Sequence, residues 1–454
     1  MTGFVFSCVS NGIEKEVLMG WQDDYRNKLT TAEEAVTHIK SGDRVVVGHL
    51  AGSPEMLIDA MVAAKKNYRD VEIVHMMDIG KSEYCLPECE GHFIHNSFFA
   101  GKMSRTMIND GRGKFTPCHF SRIPSLFIDK ILPVDVAMCV LSPPDDHGYC
   151  SFGVSVDYTK PAAESAKKVI AQVTPHMPRT LGDSYIHVSE VDHFVECECK
   201  PITTVPAKIT PIDEAIGKNC ADLIKDGDCL QLGIGAVPNS ILSFLKEKKD
   251  LGIHTEMFSD GVVELVEAGV INCKRKNFHP GKMVATFFMG TENLYKFVDK
   301  NPMVMMFPVD YTNNPFIIAQ NDNFVSINSA IQVDFVGQVV ADTIGFNQFS
   351  GTGGQVDFVR GAAWSKGGRS ILAFHSTAAK GKVSRIVSHI DEGASVTTNR
   401  ADVHFIVTEY GAADLRGKSV SERAKALINI AHPNFREKLI DEYEMLYKRR
   451  INKS

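Results

Sequence analysis

EEAVTHIKSGDRVVVGHLAGSPEML at residues 33–57 and EAIGKNCADLIKDGDCLQLGIGAVPNSIL at residues 214–242 read as two versions of one segment. In each, a helical stretch ends at Lys-x-Gly-Asp (Lys40 to Asp43, Lys225 to Asp228). A β-rich run then reaches Gly48 or Gly233, a turn of small residues leads to Pro54 or Pro238, and a helix follows. The shared order of these features, rather than any single residue, points to duplication. The chain is therefore expected to hold two similarly folded α/β halves, residues 19–205 and 206–454, after an extension of residues 1–18. The join is expected in the proline-punctuated PITTVPAKITP at 201–211. A cleft between two such halves is the natural place for a ligand.

Working outward, short apolar runs alternate with helical stretches at Arg44–Gly48, Val71–His75, Val134–Leu141, Lys168–Val173, Cys229–Gly233 and His404–Thr408. Runs of this length between helices predict buried parallel strands. Thr31 with Glu34, and Ser419 with Glu422, have the spacing of helix-starting capping boxes. The 454 residues, 44% hydrophobic and 23% charged, suit a globular protein of about two or three domains.

A net charge of −6, from 49 basic and 55 acidic residues, gives no broad attraction to nucleic acid or anionic lipid. Apolar runs such as Met303–Phe307 fall far short of the roughly 20 residues a membrane span needs. The stretch Phe4–Val9 has no basic residues before it and the first arginine is Arg26, so a cytoplasmic protein is expected. The eleven cysteines are scattered, which predicts reduced thiols. Cys85, Cys89, His92 and His95 are zinc-type ligands at a spacing that does not match a standard finger, and Cys197 and Cys199 would face opposite sides of a strand. No metal is expected.

Chemistry is expected where the two copies differ. Gly233-Ile234-Gly235-Ala236-Val237-Pro238 presents backbone N–H groups at a helix start, suited to a phosphate or an oxyanion. Pro238 stands where the third glycine of a dinucleotide fingerprint would be, which disfavours a Rossmann NAD site. One helix later comes Leu251-Gly252-Ile253-His254-Thr255-Glu256, with Glu256 expected at the C-terminal end of a parallel strand, where open α/β sheets bind ligands. The comparable first-half strand, Val71 to Met77, has no carboxylate at its end. Glu256 can be a general base, a metal ligand, a covalent nucleophile or a surface ion-pair partner. A third segment, Ser350-Gly351-Thr352-Gly353-Gly354, packs small residues where something needs close access to the backbone.

GIGAVPNSIL (233–242), LGIHTEMFSDGVVELVEAGVI (251–271), SGTGGQVDFVRGA (350–362) and VTEYGAADLRGKSVSERAKALINIAHPNFR (407–436) together resemble the acetyl-CoA hydrolase/transferase family. The likeness is greatest to its 4-hydroxybutyrate and butyryl-CoA:acetate CoA-transferases and spans about residues 21 to 445. It implies two NagB/RpiA-like α/β/α domains with the active site in the cleft between them. It also implies that Glu256, in Gly-Ile-His-x-Glu, is the nucleophile of a ping-pong reaction through an acyl-glutamyl anhydride and a glutamyl-CoA thioester. Gly233, Ile234, Gly235, Ala236 and Val237, with Ser350, Gly353 and Gly354, would supply CoA or oxyanion contacts.

The implied partners are acyl-CoA, short-chain carboxylic acids and at least a second copy of the chain. CoA would be a substrate, and no cofactor is implied. Two other functions remain open: a hydrolase using the same glutamate, and a non-catalytic metabolite sensor, which would carry a DNA-binding domain that the sequence does not display. Among secondary candidates, Glu409 is a second carboxylate or a structural turn, and the Ser142–Gly148 loop is equally structural or ligand-lining. Asp260 and His254 flank Glu256; His254 reads as a packing residue that can share the Glu256 face. Lys380 and Lys382 read as a solvated loop, while Asn328, Gln332 and Gln348 carry no assigned role.

Overall fold

The computed structural model describes residues 20–450 except 78 and 206. The expected extension, residues 1–18, lies outside the described residues. Val45, Val46 and Val47 are buried, as the β-branched centre of a parallel strand covered on both faces should be. They belong to β1 (Arg44–Val47), followed by β2 (Val71–His75), β3 (Phe93–Ser97), β4 (Lys114–Phe115), β5 (Val136–Leu141), β6 (Lys168–Val173) and β7 (His193–Glu196). These strands form one parallel sheet in the order β4-β3-β2-β1-β5-β6-β7.

The second sheet contains β8 (Cys229–Leu232), β9 (Gly252–Ile253), β10 (Phe324–Asn328), β11 (Arg369–Ala373), β12 (Phe405–Thr408) and β13 (Gly411–Asp414). Their order is β9-β8-β10-β11-β12-β13, and only β13 runs antiparallel. The chain thus forms two α/β domains.

The echo recurs in atomic detail. Lys40 N–H donates to Asp43 Oδ2 at 2.8 Å, and Lys225 N–H donates to Asp228 Oδ2 at 2.6 Å. Gly42 and Gly227 turn these corners at φ +81° and +83°, values that favour glycine. Each corner leads into a strand at the point where its sheet reverses direction: β1 lies between β2 and β5, β8 between β9 and β10. Ligands gather at the carboxyl ends of strands flanking such a reversal.

Several local expectations shift. The strands stop one residue before Gly48 and Gly233, and β5 begins at Val136. Cys197 and Cys199 lie beyond the end of β7 rather than within a strand. Thr31 caps its helix by accepting from Glu34 N–H, but the Glu34 carboxylate takes the Thr30 hydroxyl instead of closing the box. The Ser419–Glu422 box is complete.

Between β9 and β10, residues 257–318 leave the sheet, and part of this excursion packs on the first half. Met257–Phe258 pairs with Phe287–Phe288, and single bridges join Ser155 to Phe287 and Gly182 to Met306. One apolar core spans this junction, from Phe120, Phe152 and Tyr158 to Met257, Phe287 and Phe288. Among the described residues no helix is long and apolar enough to cross a membrane, and no three His, Cys, Asp or Glu side chains converge to hold a metal. His92 and His95 instead face the Tyr68 and Ile73 carbonyls.

Candidate active site

At the reversal point of the second sheet, beyond the ends of β8 and β10, lies a cavity of about 610 Å³. Gln231, Leu232 and Gly233 line it at the end of β8, Asn328 to Gln332 at and beyond the end of β10, and Ser350 to Gln355 from the glycine-rich loop. Glu256 and Met257 also line it, and Phe99 reaches it from the first half.

Glu256 is half-buried and sits just past the sheet rather than in a long strand. β9 ends at Ile253, yet the chain stays tied to β8: His254 N–H donates to the Leu230 carbonyl, and Thr255 Oγ1 donates to the Leu232 carbonyl. The Glu256 carbonyl accepts from the Thr286 and Phe287 N–H groups at 3.0 and 3.2 Å, fixing the backbone while the carboxylate faces the cavity. Oε2 accepts from Asn313 Nδ2 at 2.7 Å. The Gly354 N–H also faces the carboxylate and favours its charged form. Burial nevertheless dominates and pushes the acid up to about 8. Asn313 lowers it, the charges of Asp357 and Asp157 raise it further, and Gly354 opposes them.

The loop at 350–354 is anchored across the domain junction. Ala100 N–H donates to the Ser350 carbonyl, and Phe120 N–H to the Gly353 carbonyl, both at 3.0 Å. Asp357, in the first turn of the helix Gln355–Trp364, accepts from Ser121 N–H and Oγ–H at 3.1 and 2.8 Å. Burial pushes this acid up to about 7 despite those donors. Gly354 packs so closely that a side-chain methyl would overlap Glu256 Oε2 and Asn313 Nδ2.

Gly233, Glu256, Ser350, Gly353 and Gly354 thus line one cavity. Ile234 and Gly235 line a second, of about 380 Å³, with Ser259 and Asp260, while Ala236 and Val237 begin the helix Ala236–Ser243 and line neither. Gly235 precedes that helix at φ +116°, a backbone that disfavours other residues. Asn328 and Gln332 are at the first cavity; the Gln348 amide instead holds the Asp342 and Ser350 carbonyls. Glu409 is a turn residue whose carboxylate accepts from Ser376 N–H and Oγ–H. The Ser142–Gly148 loop lines neither cavity and is held by Arg179 through Ser142, Pro143 and Asp145. Lys380 and Lys382 are exposed outside the cavity.

The N-terminal domain of the family described as acetyl-CoA hydrolase/transferase matches residues 13–206, and its C-terminal domain matches residues 290–443. The chain belongs to the acetyl-CoA hydrolase/transferase family. Within it, the chain is 58% identical over 426 residues to the 4-hydroxybutyrate coenzyme A transferase of Clostridium kluyveri, covering 94% of this chain and 99% of that one. It is 40% identical to the butyryl-CoA:acetate CoA-transferase of Anaerostipes caccae, over 94% and 98% of the two chains. The crystal structure of RipA from Yersinia pestis superposes with a TM-score of 0.90 at 40% identity, over 94% and 100%. That of 4-hydroxybutyrate CoA-transferase from Porphyromonas gingivalis gives 0.82 at 42%, over 94% and 99%.

Asn313 is the residue in this family member's site that the sequence reading missed. It lies 57 positions beyond Glu256 in Asn313-Asn314-Pro315, a composition that signals only a turn.

Proposed function

We infer that this protein is a CoA-transferase that exchanges CoA between a short-chain acyl-CoA and a carboxylate, with Glu256 as the covalent nucleophile. The observation that carries this reading is the half-buried Glu256 carboxylate at the cavity, its Oε2 held by Asn313 and crowded by Gly354. Kinship to transferases named for 4-hydroxybutyrate and for butyryl-CoA with acetate supports 4-hydroxybutyryl- or butyryl-CoA as donor and acetate as acceptor.

With Oε2 held, Oε1 attacks the thioester carbon, the C–S bond breaks, and CoA thiolate leaves an acyl-glutamyl anhydride. The thiolate then attacks the glutamyl carbonyl carbon, the bond from that carbon to the bridging oxygen breaks, and the acyl group departs with that oxygen as a free carboxylate, leaving a glutamyl-CoA thioester. An acceptor carboxylate reverses the sequence. Each attack creates a tetrahedral oxyanion. Asn313 Nδ2 and Gly354 N–H face the glutamyl oxygen on which charge arises, while Gly233 and Ser350 to Gly353 line the same cavity. One such donor is worth about 3 kcal/mol in comparable enzymes.

Only ionised Glu256 attacks. With its acid at about 8, kcat/KM should fall about tenfold per pH unit below that value and level off above it. A stopped assay of acyl-CoA exchange from pH 5.5 to 9.5 checks this, and a flat profile would contradict it. Incubating butyryl-CoA with and without acetate tests the reaction type: acetyl-CoA and butyrate should form together, and CoA should stay esterified without an acceptor. Rapid CoA release in buffer alone would favour the hydrolase.

We further propose that each domain is NagB/RpiA-like, that they divide near residue 205, and that the reaction occupies the cleft between them. The Phe99 contribution and the anchoring of Ser350 and Gly353 on the first half support that placement. No disulfide joins any two of the ten described cysteines, which supports a reducing cytoplasmic setting. Assembly into at least a homodimer completes the reading, with light scattering as its test.

A further inference from the structure

Two residues before Glu256, His254 is completely enclosed (0% exposed), and the transfer chemistry above makes no use of it. Its Nε2 lies 2.8 Å from the Thr312 carbonyl oxygen. A carbonyl can only accept, so Nε2 carries the proton and Nδ1 is left as an acceptor facing Asn321 Nδ2 at 3.4 Å. Thr312 immediately precedes Asn313, whose amide holds Glu256 Oε2. The links close a ring: from Glu256 back along the chain to His254, across the imidazole to Thr312, on to Asn313, and across the amide to Glu256. We propose that His254 is a positioning residue that holds Asn313 against the nucleophilic carboxylate.

The need for such a tether is visible around Asn313. It follows the four-residue helix Val309–Thr312, which is too short to be stable alone, and its buried Oδ1 has no hydrogen-bond partner among the described residues. Its side chain therefore makes one hydrogen bond, to Glu256, and its backbone is held by its own N–H on the Val309 carbonyl and, through the preceding residue, by the imidazole on the Thr312 carbonyl. His254 holds Thr312 from the segment just beyond β9 that carries the nucleophile. The far side of the ring is anchored too: Asn321 Nδ2 donates to the Ile318 carbonyl, and Ser365 Oγ donates to the Asn321 carbonyl at 2.6 Å.

His254 is suited to the task because it stays neutral. Burial, reinforced by the charges of Lys276 and His279, lowers it to about 3 against the opposing Thr312 carbonyl. Lys276 Nζ is itself held by the Ile253 and Lys282 carbonyls, and His279 by the Tyr311 hydroxyl. The charged groups bearing on Glu256 are Asp357 and Asp157, neither of which touches this ring.

The inference rests on Glu256 being the nucleophile, and the experiment separates the two. In the full chain, His254→Leu removes the donor. Freed from Asn313, the Glu256 acid rises, so the acid limb of kcat/KM should move up by about one pH unit and kcat should fall at least about tenfold. KM for acyl-CoA should change little. Asn313→Ala should give the same limb shift, and the double variant should shift no further. His254→Gln, whose amide N–H can reach the Nε2 position, should restore the limb.

A wild-type limb in His254→Leu, or additive shifts in the double variant, overturns the role of His254 while an inactive Glu256→Gln still upholds the nucleophile. If His254→Leu does not fold, the comparison passes to His254→Gln against His254→Asn, whose shorter amide cannot reach Thr312. Identical limbs in those two overturn the proposal.

Discussion

Glu256→Ala is expected to lower kcat for CoA exchange by about 10⁴-fold or more, because a covalent route with no nucleophile has no first step. Glu256→Gln should be equally inactive: it preserves volume and a hydrogen-bonding oxygen but cannot form the anhydride. Mass spectrometry after mixing wild-type protein with acyl-CoA and reducing with borohydride should place a modification on Glu256 and on no other acidic residue. Retention of more than a few per cent of activity in Glu256→Ala would remove Glu256 from the chemistry.

Stability should move the other way. Glu256 has a folded-state value of about 8 against an ordinary 4.5, so the fold favours the protonated acid. Its stabilising contribution is present below about 4.5 and is lost as the pH rises through about 8. Glu256→Gln, neutral throughout, should therefore match the wild-type melting temperature near pH 4.5 and exceed it at pH 8 to 9. Such a gain on removing a functional group is the mark of a site held in a destabilising environment.

The matching corners were legible because Lys-x-Gly-Asp has local causes. A side-chain cap and a positive-φ glycine are written in consecutive residues, and they recur as the same hydrogen bond in both halves. The parallel strands were legible from their runs of buried apolar residues, and the glycine-rich loops from composition. Asn313 was hidden because its role depends on the excursion at 257–318, which returns the chain beside Glu256 through pairing with the first half. Ile234 and Gly235 were grouped with Gly233 by sequence, yet a turn has two sides and they open on the second cavity. His254 reads from sequence as a packing residue that strand alternation would let share the Glu256 face, and it is indeed enclosed. The chain bends beyond β9, so alternation no longer governs: the imidazole turns to Thr312 while the carboxylate turns to the cavity.

Gly354→Ala should cost about 10² to 10³ in kcat, an effect out of proportion to a single methyl. The backbone there has φ −90°, which alanine adopts without strain, so conformational penalty is not the cause. The cause is position. The added methyl would overlap Glu256 Oε2 and Asn313 Nδ2, and Glu256 cannot retreat along its own backbone, because its carbonyl is pinned by Thr286 and Phe287. The carboxylate must swing away from Asn313 instead, and displacing a reacting group by about 1 Å is enough to lose about 10²-fold in rate.

Gly353→Ala provides the contrast. It has φ +53°, so alanine is strained by about 1 kcal/mol, but its methyl would meet the Phe99 ring at 3.3 Å rather than the nucleophile. It should lose less kcat than Gly354→Ala, with a melting temperature lowered only by what about 1 kcal/mol of backbone strain costs. Steady-state kinetics and thermal melts on the two variants decide the matter. If Gly354→Ala stays within about threefold of wild-type kcat, close packing of this glycine on the carboxylate is not what orients it, since a 1 Å displacement would cost far more.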